Sequence, residues 1–160
     1  MRKSRVLLTS AVFAFSALVT SPVSGAGHVM DGHVSILPSE LKWIDAPGVA
    51  PGAQIAVIEG DLKTAAPFTF RLKLPANARI GVHTHPVVER VTVMRGTFYL
   101  GIGDKFEPEK ARGYTPGGIT IMPVGMPMFA FVKEETIIQI HGTGPWGISF
   151  LNPADAPGKK

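Results

Sequence analysis

Cysteine is missing from this 160-residue sequence, aromatic residues make up 8% of it, and charged residues only 18%. Without thiols the chain forms no disulfide and no thiolate metal site, and it has no cysteine nucleophile. Its stability must therefore come from a packed core. The sequence also lacks a glycine-rich phosphate loop ahead of a helix and a serine in a nucleophile elbow, which removes two common catalytic frameworks. After residue 60 no stretch carries a helical stripe with caps, so strands must build the domain. The apolar run from Val6 to Val19 is fourteen residues long, short of the roughly 20 that a spanning helix needs.

That run has a different reading. Arg2, Lys3 and Arg5 precede it and the small-residue stretch "SPVSGA" follows, the order of a secretory signal. Residues 1–26 are expected to be a signal peptide cleaved after Ala26, which exports the remainder, most simply to a bacterial periplasm, with no membrane attachment after cleavage. The segment holds three of the sixteen basic residues and none of the twelve acidic ones. Its removal leaves a formal charge of +1 and no basic cluster, so nucleic acid is not an expected partner.

What is abundant is alternation. In "PFTFRLKLP", Phe68, Phe70, Leu72 and Leu74 interleave with Thr69, Arg71 and Lys73, the period-two pattern of a half-buried strand. "QIAVIEG", "RVTVMRG", "TFYLGIG", "GITIMP", "MFAFVK", "TIIQIHG" and "GISFLNP" are similar short runs, mostly closed by Gly or Pro turns. The expected architecture is all-β, an antiparallel sandwich or small barrel in a single domain over residues 53–151. Residues 27–52 form an N-terminal arm with room for one short helix in "PSELKWID", capped by Ser39. Residues 152–160 form a C-terminal tail. A polar arm accounts for His28, Asp31 and His33.

The chemistry concentrates in "GVHTHPVVERVTVMRG". His83 and His85 lie two apart in a strand and project to one face, and Glu89 keeps their odd-numbered parity. Two imidazoles and a carboxylate facing an enclosed space suit Fe(II) and are compatible with other divalent transition metals. The plainer alternative, incidental strand histidines, requires each buried ring to find its own partner.

These residues resemble the cupins. Histidine, one residue, histidine, three residues, glutamate, six residues, glycine is the first cupin motif, matched by His83, His85, Glu89 and Gly96, with Asn77 where that motif begins with glycine. In "GGITIMPVGMPMFAFV", Gly117, Pro123 and Gly125 match the second motif, but Met128 stands at its histidine and Val132 at its asparagine. The resemblance spans about residues 53 to 151 and is closest to small exported bacterial cupins. It implies a double-stranded β-helix, a jelly-roll-like barrel, with any metal inside its mouth. The implied ligands are His83, His85, Glu89 and the residue at position 128.

A thioether at 128 contributes little to Fe(II), Mn(II) or Zn(II) and favours Cu(I). Three outcomes follow. The two histidines and Glu89 hold a divalent metal (Fe, Mn, Ni or Zn) while Met128 packs beside it; or His141, which shares a strand face with Gln139, completes the sphere; or metal is lost and the barrel is a small-molecule pocket. Copper is the less favoured metal, because Met94 takes the face opposite the histidines and methionines in apolar strands commonly fill cores. The expected partner is a small organic ligand or substrate, turned over by an enzyme or bound by a sensor or carrier. A homodimer covering Phe129 and Phe131 is a further expectation. Trp43 and Trp146 suit packing first, or a pocket mouth or a subunit contact, and Tyr99 and Arg95 are alternatives for a proton donor or an anion contact.

Overall fold

The computed structural model describes residues 32–157; the expected signal peptide, His28 and Asp31 lie outside them. Eleven strands follow in order: β1 (Ile44–Asp45), β2 (Gln54–Glu59), β3 (Pro67–Leu74), β4 (Arg79–Thr84), β5 (Glu89–Arg95), β6 (Phe98–Ile102), β7 (Arg112–Tyr114), β8 (Ile119–Met122), β9 (Met128–Phe131), β10 (Thr136–Thr143) and β11 (Ser149–Phe150). All pairings are antiparallel. One sheet has the order β1-β2-β3-β10-β5-β8, the other β11-β4-β9-β6-β7. The two enclose one core, giving the all-β jelly-roll that the alternation led us to expect.

The strand with the clearest pattern shows why. Phe68, Phe70, Leu72 and Leu74 are buried, while Thr69, Arg71 and Lys73 between them are half-exposed. Across from them, Thr136, Ile138 and Ile140 of β10 face the same core. Burying each large apolar side chain contributes about 1.5–3 kcal/mol. Exposed ion pairs such as Arg95–Glu135 are worth about 1 kcal/mol at most. In a chain without disulfides the core therefore decides stability.

Turn chemistry sets the corners. Asn77 has φ 64° in the Pro75–Ala78 turn, where Ala78 N–H donates to the Pro75 carbonyl at 3.1 Å. Asparagine tolerates this left-handed geometry better than most residues, which is why it stands in for glycine there. Gly96, at φ 76° between β5 and β6, leaves no space for a Cβ, which would lie 2.7 Å from the Glu135 carbonyl oxygen.

The ends are more integrated than arms. β1 pairs with β2 through Ile44–Ile55 and Asp45–Gln54, and Val49 and Ala50 are buried in the core. The helix in "PSELKWID" is one 3-10 turn, Pro38–Glu40, and Ser39 does not cap it; instead the Glu40 carboxylate accepts from Leu37 N–H at 2.7 Å. Pro153–Asp155 forms another turn, capped by Asn152, and Asp155 packs where a side chain on Gly81 would stand. Among the described residues no helix is long and apolar enough to cross a membrane.

Candidate metal centre

His83, His85 and Glu89 are each only 4% exposed and line one interior cavity together with Met122, Met128 and Trp146. Strand parity alone does not explain their meeting, because β4 and β5 belong to opposite sheets. The chain crosses between the sheets at residues 85–88, so the histidines approach from one wall and Glu89 from the other. A β-bulge makes His83 part of that wall. The β4–β9 register runs Arg79–Phe131 and Ile80–Ala130, then shifts to His83–Met128. Ile80 and His83, three residues apart, thus both face the cavity, which a regular strand would forbid.

Hydrogen bonds fix both rings. His83 Nδ1 lies 2.7 Å from the Gly81 carbonyl and His85 Nδ1 lies 2.6 Å from the Gly147 carbonyl. A carbonyl only accepts, so both Nδ1 atoms carry the proton and both Nε2 atoms are left for another partner, the orientation used by metal-ligating histidines. The rings stand nearly perpendicular, with centroids 4.9 Å apart. His85 Nε2 is 3.4 Å from Glu89 Oε2, and Trp146 Nε1–H donates to Glu89 Oε1 at 2.8 Å. An imidazole lone pair and a carboxylate oxygen that face each other in a buried space repel. A cation between them, a proton or a metal, removes the conflict.

Burial pushes the Glu89 carboxyl up, opposed by His85 and by the Trp146 hydrogen bond. Burial likewise lowers His83 to about 4, opposed by the Gly81 hydrogen bond and reinforced by His85. The unfolded chain therefore protonates residue 83 near 6.5 and the folded chain only near about 4. As pH falls through that window the unfolded state binds more protons, so this group's contribution drains stability; above 6.5 it is silent. The raised Glu89 acts in the opposite sense above 4.5. Denaturation measured with chelator present is expected to show a flatter loss between pH 6.5 and 4 for His83→Gln than for the natural protein. Equal slopes would contradict the assignment.

The cavity itself is small, about 30 Å³, room for an ion or one to two waters and far below the roughly 300 Å³ of an organic-ligand pocket. Among the described residues no group of three or more His, Asp or Glu side chains is placed so that it could hold a metal ion as it stands. The donors nevertheless suit a metal in type and in their one measured separation. Two ligands each about 2.1 Å from an ion lie roughly 3.4 Å apart at a tetrahedral angle, the His85–Glu89 separation.

The other candidates separate clearly. Met128 is buried across from His83 in the β4–β9 register, and Met122 lies across from Glu89. His141 does not join them. The buried positions of β10 are Thr136, Ile138 and Ile140, which leaves Gln139 and His141 on the outward face, where Gln139 accepts from Arg71 at 3.2 Å. Phe129 and Phe131 need no subunit to cover them, since Phe106 packs on both and Tyr99 stacks on Phe131. Arg95 is exposed and paired with Glu135, so neither Tyr99 nor Arg95 reaches the cavity.

Trp146 is the residue that sequence reading underrated. Its loop is held by Gly144 N–H on the Ala66 carbonyl and Trp146 N–H on the Leu62 carbonyl, at 2.9 and 2.7 Å. The indole then stacks on His85 and meets the edge of Phe70. The available signal was general: a semi-buried indole N–H seeks an acceptor.

Comparison with solved structures completes the picture. An RmlC-like cupin from Shewanella frigidimarina superposes with a TM-score of 0.56 at 16% identity, covering 69% of this chain and 89% of that one. The chain has the cupin fold. The polyketide cyclase RemF of Streptomyces resistomycificus is similar to this cupin barrel with a TM-score of 0.57 at 17% identity, over 74% of this chain and 87% of its own. Salicylate 1,2-dioxygenase from Pseudoaminobacter salicylatoxidans, solved with gentisate, matches the barrel over 65% of this chain and 30% of that one, with a TM-score of 0.54 at 12% identity. No family model matches the chain, and no curated protein does.

Proposed function

We propose that this cupin-fold protein binds a divalent transition metal through His83, His85 and Glu89 and serves a small organic substrate or ligand. The observation that carries the reading is the buried His85 Nε2–Glu89 Oε2 confrontation at 3.4 Å, which calls for a cation. Imidazole and carboxylate donors suit Fe, Mn, Ni or Zn, and bound there such an ion supplies a Lewis-acid or oxygen-binding centre. The chain's own groups have separate duties. Gly81 and Gly147 carbonyls hold the rings, Trp146 fixes Glu89 Oε1, and Glu89 Oε2 holds or passes a proton toward His85. Apolar walls from Ile138, Ile140 and Leu100 exclude bulk water. Salicylate 1,2-dioxygenase with gentisate is consistent with a small organic molecule as partner. Arg2, Lys3, Arg5, the apolar run after them and the small-residue stretch that follows support export to the periplasm.

Met128 in the cavity wall favours a second reading, a non-catalytic sensor or carrier with a weakened site. Elemental analysis of the purified protein and of the His83→Ala, His85→Ala double variant tests the metal reading. About one equivalent in the natural protein and none in the variant is expected. Equal, substoichiometric metal in both removes it.

A further inference from the structure

A cavity of about 30 Å³ holds no organic molecule, which turns attention to the space beside it. β7 and β8 are the last strands of their respective sheets, and a seam of about 500 Å³ opens between them, within the range of organic-ligand pockets. Register shows what faces it. Arg112 lies directly across from Leu100 and Tyr114 across from Phe98, and directly opposed residues of an antiparallel pair share a face. Leu100 and Phe98 line the donor cavity, so Arg112 and Tyr114 continue that inner face outward. From the other sheet, Thr120 and Met122 share the face of Val91 and Glu89. Leu100 and Met122 line both spaces and form the wall between them.

The seam has a distinctive charge. Its cations are Lys110 and Arg112, and among the described residues no acidic side chain lines it. Lys110 is already paired with Glu107 at 2.8 Å, and Glu109 is close enough to act on it. Arg112 makes no ion pair among the described residues; its guanidinium lies 5.3 Å from the Tyr114 ring centroid. One unpaired guanidinium beside the apolar Ile102, Met122 and Met126 is complementary to a single anionic fork on an apolar body.

We propose that the seam between β7 and β8 binds a small organic monocarboxylate, its carboxylate on Arg112 and its apolar body against Ile102, Met122 and Met126. That the ligand then lies beside a metal rests on the reading above; the binding itself does not. Calorimetric titration of benzoate and of uncharged benzamide into the protein as purified, with metal content measured on the same sample, tests it. Benzoate is expected to saturate at one site and benzamide to bind about tenfold more weakly or less. Arg112→Gln should weaken benzoate about tenfold with unchanged metal content, while Arg95→Gln, a cation elsewhere on the surface, should leave it unaltered. Equal affinity for the two probes, no saturation, or indifference to Arg112→Gln overturns the proposal. So does an Arg112→Gln protein that self-associates with benzoate affinity intact, because Arg112 would then serve to guard a sheet edge.

Discussion

Replacing Met128 with histidine is expected to tighten binding of Zn(II) or Mn(II) by about a hundredfold, because it exchanges a poor donor for an imidazole. The position is favourable. Met128 is 1% exposed, lines the donor cavity, and stands across from His83 on the neighbouring strand. The two side chains have similar volumes, so overpacking is limited; the buried ring's polar atoms lower stability in the free protein unless they find partners. Metal competition against a chelator reads the affinity, and thermal unfolding with and without metal reads the linkage. Unchanged affinity would place residue 128 outside the reach of the ion. The same variant separates the two functional readings. Tighter metal with no activity in either form favours a sensor or carrier, whereas an activity that requires Met128 favours specialised chemistry.

Trp146→Phe is expected to weaken metal binding by about 10- to 100-fold while leaving the fold intact. Phenylalanine retains a ring to stack on His85 and to meet Phe70, but it lacks the N–H that holds Glu89 Oε1. The carboxylate loses its orienting donor, and leaving that buried oxygen without a partner costs about 1–3 kcal/mol in the free protein. Chelator competition and chemical denaturation on the same samples distinguish the two effects. A stability loss with metal affinity unchanged would make Trp146 a packing residue only.

Much of the barrel was written in local pattern. The alternation of Phe68 to Leu74 fixed a core strand, because period-two burial has one structural solution, and the motif glycines marked corners that require positive φ. The pairing of β3 with β10 was not legible, since contacts between distant segments leave no trace in local spacing. At the site, His83, His85 and Glu89 were singled out by motif; parity explains why the two histidines share a face, but not why Glu89 meets them. A bulge turns His83 inward and a sheet crossing brings Glu89 to the facing wall. His141 shows the limit of parity most directly: the spacing with Gln139 was right, but which face of β10 pointed inward depended on its neighbours β3 and β5. Trp146 reaches Glu89 from a loop 57 residues along the chain, a contact that no window of sequence contains.

The account stands or falls on whether one ion is shared by the donors around the interior cavity. Anomalous diffraction at the metal absorption edges, from crystals of the metal-loaded protein, measures this directly. The predicted result is a single peak about 2.0–2.3 Å from Nε2 of His83, Nε2 of His85 and a carboxylate oxygen of Glu89. A cavity that holds only water, or a peak that touches one of these residues and not the other two, would contradict it.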